Sequence, residues 1–139
     1  MKEDKEKFPW LYLLIMSSVT FMGILSELVP SGILPQMSEG LQVSYSSIGL
    51  LVSVYAVASA IGTIPLITWT MPMNRKKLLL ILLLIFGVSN LTIALSTSYY
   101  FTSFARLIGG IAAGVLWPMS SAYAMRLVPS HLHGRAIAI

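Results

Sequence analysis

Four long apolar blocks leave this chain few ways to fold. They run roughly over residues 8–35, 46–69, 77–96 and 101–125. Each supplies the ~20 residues a helix needs to cross a bilayer. Backbone polar groups in lipid must be satisfied within the protein, so only helices and closed barrels can span. The blocks show no alternation of polar and apolar side chains, which argues against a barrel. The expected fold class is therefore all-α integral membrane, with four transmembrane helices and the start of a fifth near residue 135. Only 10% of the residues are charged and 56% are hydrophobic, whereas a soluble domain carries about 25% charged residues. Residues 1–7 read as a cytoplasmic N-terminus and residues 8–139 as a partial transmembrane domain.

The charges fix an orientation. Lys2, Lys5 and Lys7 precede the first block; Arg75, Lys76 and Lys77 lie between the second and third; Arg126 and Arg135 follow the fourth. The two remaining loops, 36–45 and 97–100, hold no basic residue. Eight of the nine basic residues thus fall on one side, which is expected to be cytoplasmic, in a multi-pass protein of the cell membrane. A net charge of +4 does not point to nucleic acid, because the basic residues sit in short clusters at block ends. The basic start followed by an apolar run is not read as a signal peptide. The run exceeds the ~7–15 residues of an h-region, and no A-x-A site follows it.

Catalytic signatures are missing, so no enzyme is expected. There is no H-E-x-x-H, no glycine-rich phosphate loop and no cysteine, and the only aspartate is Asp4. "GVSN", residues 87–90, contains a serine without the following glycine or alanine of a rhomboid-type site. His131 and His133 read as a solvated loop, with no metal and no cofactor expected.

Two charges lie inside the blocks, where an ionisable residue marks a functional site by default. Glu27 has Thr20, Gly23, Pro30 and Ser31 at helical spacing, a face of small or polar residues and a helix breaker. Leu11, Leu14, Ile15 and Leu25 lie on other faces. Pro30 also frees a carbonyl one turn earlier, beside the carboxylate. Arg106 shares its face with Gly109, Gly110, Ala113, Trp117 and Ser120, and Gly110 with Gly114 forms a G-x-x-x-G pair suited to close helix approach. Depths of roughly 12 Å for Glu27, 8 Å for Arg106 and 13 Å for Tyr55 follow from the helical rise. All three occupy one outer-half layer. Tyr55, Asn90 and Trp117 are candidates to line a cavity there. Glu27 and Arg106 are candidates for proton coupling or substrate binding, since separating a carboxylate from an arginine changes its proton affinity. The alternatives are a static pair or a glutamate snorkelling to the interface. In the second block Gly49, Ser53, Ala56, Ala60 and Thr63 form a small-residue stripe, which reads as helix packing. The leucine-rich third block reads as lipid-facing.

With these motifs in view, the chain resembles the first third of a major facilitator superfamily transporter, of the twelve-span drug:proton antiporter and sugar-efflux branch. "SELVPSGILPQMSEGLQVS" resembles its first-span motif, "RLIGGIAAGVLWP" its fourth, and "RLVPSHLHGRAIAI" the turn into its fifth. The family's loop between the second and third spans carries a glycine, an aspartate, a second glycine and basic residues. Here "ITWTMPMNRKK" keeps only Arg75, Lys76 and Lys77, with Met71 about where the aspartate belongs. The resemblance implies part of an N-terminal six-helix bundle. It implies alternating access between two pseudo-symmetric halves, with Glu27 as a proton or cation site and Arg106 as its partner. Expected partners are the bilayer, a small-molecule substrate, protons and the remaining C-terminal spans. The implied function is proton-coupled efflux of a drug, sugar, nucleoside or amino-acid metabolite by an N-terminal fragment of an antiporter. Two other readings stand beside it. One is a complete four-span exporter acting as a dimer, like the small multidrug resistance family. The other is a non-transporting remnant or accessory subunit.

Overall fold

The computed structural model describes residues 9–138, so Lys2, Lys5 and Lys7 lie outside the described residues. The described chain is helical throughout: α1 (Trp10–Gly32), α2 (Leu34–Leu41), α3 (Tyr45–Thr70), α4 (Arg75–Leu95), α5 (Tyr99–Arg126), a 3-10 turn (Ser130–Leu132) and α6 (His133–Ile137). Helices α1, α3, α4 and α5 are each long and apolar enough to cross a membrane. They correspond to the four apolar blocks, and α6 begins where a fifth span was expected.

The connections are built from local polar chemistry. Pro35 sits in the first turn of α2, where its missing N–H costs nothing. Gln42 ends α2 in the left-handed conformation, with φ of 55°. The stretch expected to be an outer loop is therefore largely helical. The Ser44 hydroxyl then caps α3 by accepting from the Ser47 amide. At the opposite end, Asn74 caps α4 and accepts from the amides of Lys76 and Lys77. The loop's departure from the family pattern thus supplies a helix start. It also sets Arg75, Lys76 and Lys77 in the first turn of α4.

Helix α5 is the centre of the bundle and packs on both α3 and α4. Its apolar window is 56% buried, against 11% for α1 and α3 and 22% for α4. Yet its mean hydropathy of 1.3 is the lowest of the four, and that of α4, at 2.6, is the highest. In lipid there is little hydrophobic drive between helices, so close packing of small residues selects the interior element. A Cβ on Gly110 would collide with the Tyr55 carbonyl oxygen, and one on Gly114 would meet the Ser59 carbonyl oxygen at 2.5 Å. These glycines let the α3 and α5 backbones touch. The small-residue stripe of α3 is largely turned away: Gly49, Ser53, Ala56 and Ala60 are exposed, and the face on α5 runs through Tyr55, Ser59 and Gly62.

On its other side α5 meets leucines of α4. Leu78, Leu79 and Leu82 join Ala112, Val115, Leu116 and Met119 in the main apolar core. Leu80, Leu84, Leu91 and Leu95 of the same helix are exposed. The leucine-rich α4 therefore turns only one of its sides outward. A second cluster, of Leu13, Ala124, Val128 and Ala136, seats α6 against the start of α1 and the end of α5.

Candidate functional site

The site grows from Pro30. It lies inside α1 and is fully buried. Having no N–H, it leaves the Ser26 carbonyl, four residues earlier, without its helical donor. Arg106 of α5 supplies one: its Nη1 donates to Ser26 O at 2.8 Å. The Ser26 hydroxyl in turn donates to Asn90 Oδ1 on α4. Asn90 Nδ2 donates to the Phe86 carbonyl of its own helix at 2.8 Å, which fixes the amide's orientation. One residue before Arg106, the Ala105 carbonyl accepts from the Ser89 hydroxyl. Hydrogen bonds thus link α1, α4 and α5 around the guanidinium, which itself bonds to α1.

A fourth arrives through its ring. The guanidinium carbon lies 5.4 Å from the centroid of Tyr55 on α3, within reach of a cation–π attraction. Arg106 and Tyr55 are each only 2% exposed. Tyr55 Oη and Arg106 Nε have no hydrogen-bond partner among the described residues. Glu27 is half-buried beside this cluster. Its carboxylate is close enough to act electrostatically on both Arg106 and Tyr55. The guanidinium itself is hydrogen-bonded to the neighbouring backbone carbonyl.

The remaining sequence candidates distribute around this centre. Gly109 faces Ser89, whose hydroxyl would lie 2.7 Å from a Cβ there. Trp117 lies farther along α5, with its ring 3.9 Å from where a Cβ of Gly23 would stand. Gly23 is one turn before Glu27, and this contact walls a crevice of about 20 Å3 that also touches Thr20, Phe86 and Ser120. A larger cleft of about 250 Å3 opens at the basic end, between Thr70, Arg75, Tyr123 and Arg126. Arg126 is twenty residues along α5 from Arg106, roughly 30 Å by helical rise. Arg75 and the cleft are therefore remote from the polar centre, as are Lys76 and Lys77.

Sequence reasoning gave no role to the Ser26 hydroxyl and set Ser89 aside as the serine of "GVSN". For Ser26 a signal existed: it stands four residues before Pro30, so its carbonyl is the one the proline frees. Nothing in the sequence says that Arg106 is the donor that comes to it. Ser89, one of many small hydroxyl residues, carries no comparable mark.

Bilayer-length helices gathered on a buried arginine, with a carboxylate and a proline-opened carbonyl beside it, define a multi-spanning membrane protein with a polar centre. The chain belongs to the Major Facilitator Superfamily, which it matches over residues 16–139. That family comprises transporters rather than enzymes. A chloramphenicol efflux pump of Mycobacterium tuberculosis is 32% identical over 124 residues, covering 89% of this chain and 30% of the pump. A probable sugar efflux transporter of Helicobacter pylori is 23% identical over 138 residues, covering 99% of this chain and 35% of that protein. The chain thus spans about a third of the length of the curated relatives it matches. A four-span dimer of the small multidrug resistance type would belong to a different family.

Proposed function

We propose that this chain is the N-terminal part of a proton-coupled exporter of a small solute. It works in the cell membrane by alternating access, with its N-terminus in the cytoplasm. Glu27 carries the coupling proton, and Arg106 responds to its charge. The observation that carries this reading is the position of Arg106. It is 2% exposed, its guanidinium rests on the α1 backbone, and it lies within electrostatic reach of Glu27. Burying a charge is costly unless it is paired and hydrogen-bonded, and charges kept inside membranes mark ion or substrate paths. A proton arriving at Glu27 removes the charge facing Arg106, and release of the proton restores it. That alternation is the kind of differential interaction that biases a two-state equilibrium. The names of the relatives support export and a solute of drug or sugar size.

The test uses the longer protein that contains this chain, in inverted membrane vesicles energised with a proton gradient. Chloramphenicol is the first solute to try, followed by neutral sugars. Glu27→Gln is expected to lower gradient-driven uptake by more than about tenfold, the scale of a lost coupling energy of 1–3 kcal/mol. Solute exchange without a gradient should be retained. Gradient-driven uptake by Glu27→Gln at the unaltered rate would remove Glu27 from the coupling role.

A further inference from the structure

The basic end of the bundle holds a cleft that the proposed coupling centre does not use. Its walls come from three helices. Helices α3 and α5 touch where Gly110 meets Tyr55 and Gly114 meets Ser59. Past that contact each carries an interior proline, Pro65 in α3 and Pro118 in α5. A proline removes a helical hydrogen bond and crowds the turn before it, so the two helices can part there. The cleft of about 250 Å3 lies between them, with Arg75, the first residue of α4, on its wall as well.

We infer that this cleft binds one acidic phospholipid. Its headgroup phosphate lies between Arg75 and Arg126, and its apolar part runs along Ile67, Val115 and Met119. Such a site stands apart from the proposed transport role and does not depend on Glu27.

The polar chemistry of the cleft is one-sided. Arg75 is half-buried and Arg126 exposed. Neither guanidinium has a hydrogen-bond or ion-pair partner among the described residues, and neither has the Tyr123 hydroxyl. The Thr70 hydroxyl already donates to Leu66 O at 2.6 Å. The rim thus presents donors without acceptors. A phosphodiester is an anionic acceptor, and guanidinium groups bind phosphate through paired, charge-assisted bonds.

The charge is equally one-sided. The carboxylates among the described residues are Glu27 and Glu39. Glu39 lies in α2, which joins the opposite ends of α1 and α3. Glu27 follows Ser26, whose carbonyl holds Arg106, and Arg106 is roughly 30 Å of helix from Arg126. Two cations without a nearby carboxylate select a lipid of net negative charge. They would repel the ammonium of a zwitterionic one.

The depth suits a lipid rather than a free ion. Arg75 opens one bilayer-length helix and Arg126 closes another, so both stand at the level of the headgroups. Val115 precedes Arg126 by eleven residues, roughly 16 Å of helix towards the bilayer interior. An inorganic phosphate would occupy the rim and leave that apolar length empty, whereas a phospholipid fills both. Basic pockets between spanning helices hold acidic headgroups in this way.

The test uses the longer protein that contains this chain, purified in neutral detergent and titrated with lipid by native mass spectrometry. The probes are dioleoyl phosphatidylglycerol, dioleoyl phosphatidylethanolamine and inorganic phosphate. The first phosphatidylglycerol is expected to bind about tenfold more tightly than phosphatidylethanolamine. Arg75→Gln and Arg126→Gln should each weaken it about fivefold, the scale of one basic residue at an anionic surface. Ala122→Glu sets a carboxylate on the cleft wall one turn before Arg126. It should abolish the preference with both arginines in place. Lys76→Gln and Lys77→Gln remove the same charge outside the cleft, and each should change the affinity by less than about twofold, because a solvated charge is screened. Inorganic phosphate should not displace the lipid. Thermal unfolding establishes that each variant is folded, and Ala122→Glu serves if an arginine variant is not.

Equal binding of the two lipids, or no bound lipid at all, would overturn the site and leave the cleft to the remaining spans of the longer protein. Losses from the two lysine variants as large as those from the arginines would replace it with a diffuse surface charge. Displacement by inorganic phosphate would make it an ion site. Glu3, Asp4 and Glu6 lie outside the described residues. Phosphatidylglycerol that binds only after these three are changed to Gln, Asn and Gln would assign the arginines to the N-terminus of the chain instead.

Discussion

Arg106 is where the helices converge, and its surroundings say what it is kept for. Its Nη1 bond to Ser26 O and its place over the Tyr55 ring are favourable. Against them stand the desolvation of a charge and an Nε without a hydrogen-bond partner among the described residues. An uncompensated buried charge costs several kcal/mol, and apolar replacements of similar volume are often neutral or stabilising. Losing the bond leaves a carbonyl unsatisfied, at about 1–3 kcal/mol. These opposing quantities nearly cancel. Arg106→Met should therefore unfold within about 2 kcal/mol of the unaltered protein while gradient-driven transport collapses. Arg106→Ala, which leaves a cavity, should lose about 2–5 kcal/mol. Denaturant unfolding in detergent checks both. Tyr55→Phe should stay within about 0.5 kcal/mol, because Oη makes no hydrogen bond among the described residues. A larger loss would mean that the hydroxyl has a partner. At this scale the sequence named the two charges and the freed carbonyl, because ionisable residues and prolines are rare in apolar blocks. It could not pair them. Helical spacing fixes which residues share a face, but not which face of one helix meets which face of another.

At the scale of the helix, the contact of α3 with α5 decides the bundle. Ala at position 110 would press its Cβ into the Tyr55 carbonyl, and the Tyr55 Cα would lie only 3.1 Å away. Neither is the end of a flexible side chain, so the helices themselves must part. Gly110→Ala is expected to destabilise by about 1–3 kcal/mol. It should also disturb the Arg106–Tyr55 contact, which sits one turn away on α5. Gly87 on α4 has open space around its missing Cβ. Gly87→Ala should instead be neutral or stabilise by up to about 1 kcal/mol. Thermal unfolding of the two variants side by side gives the comparison, and equal behaviour would mean the backbones are not in contact. The G-x-x-x-G spacing announced this approach in advance. The central place of α5 was less legible, since it is the least hydropathic of the four blocks. Hydropathy reports affinity for lipid, whereas burial within the bundle depends on how closely backbones can approach. Helix α2 was missed for another reason. Its eight residues are too few and too polar to show a period, so only Pro35 at its start marked it.

Across the whole molecule, orientation rests on charge. Arg75, Lys76 and Lys77 open α4, Arg126 closes α5, and Arg135 lies in α6, so these basic residues share one end of the bundle. Each Lys or Arg near an anionic cytoplasmic surface contributes about 1 kcal/mol. Removing three from the loop before α4 therefore surrenders roughly 3 kcal/mol, about a hundredfold in preference. On the proposed orientation, Lys2, Lys5, Lys7, Arg126 and Arg135 still favour the same side, which is enough to hold it. The chain has no cysteine, so within it a single introduced cysteine is the one thiol. In intact cells a membrane-impermeant maleimide is expected to label Gly40→Cys, at the end of α2, and to spare Met73→Cys, in the turn before α4. Permeabilised cells should show both. Replacing Arg75, Lys76 and Lys77 by Gln should leave that pattern in place. Adding Lys2→Gln, Lys5→Gln and Lys7→Gln should yield a mixture in which Met73→Cys is labelled from outside. Labelling of Met73→Cys in intact cells before any charge is removed would invert the assigned orientation. It would also put the Glu27 layer on the cytoplasmic side of the bilayer.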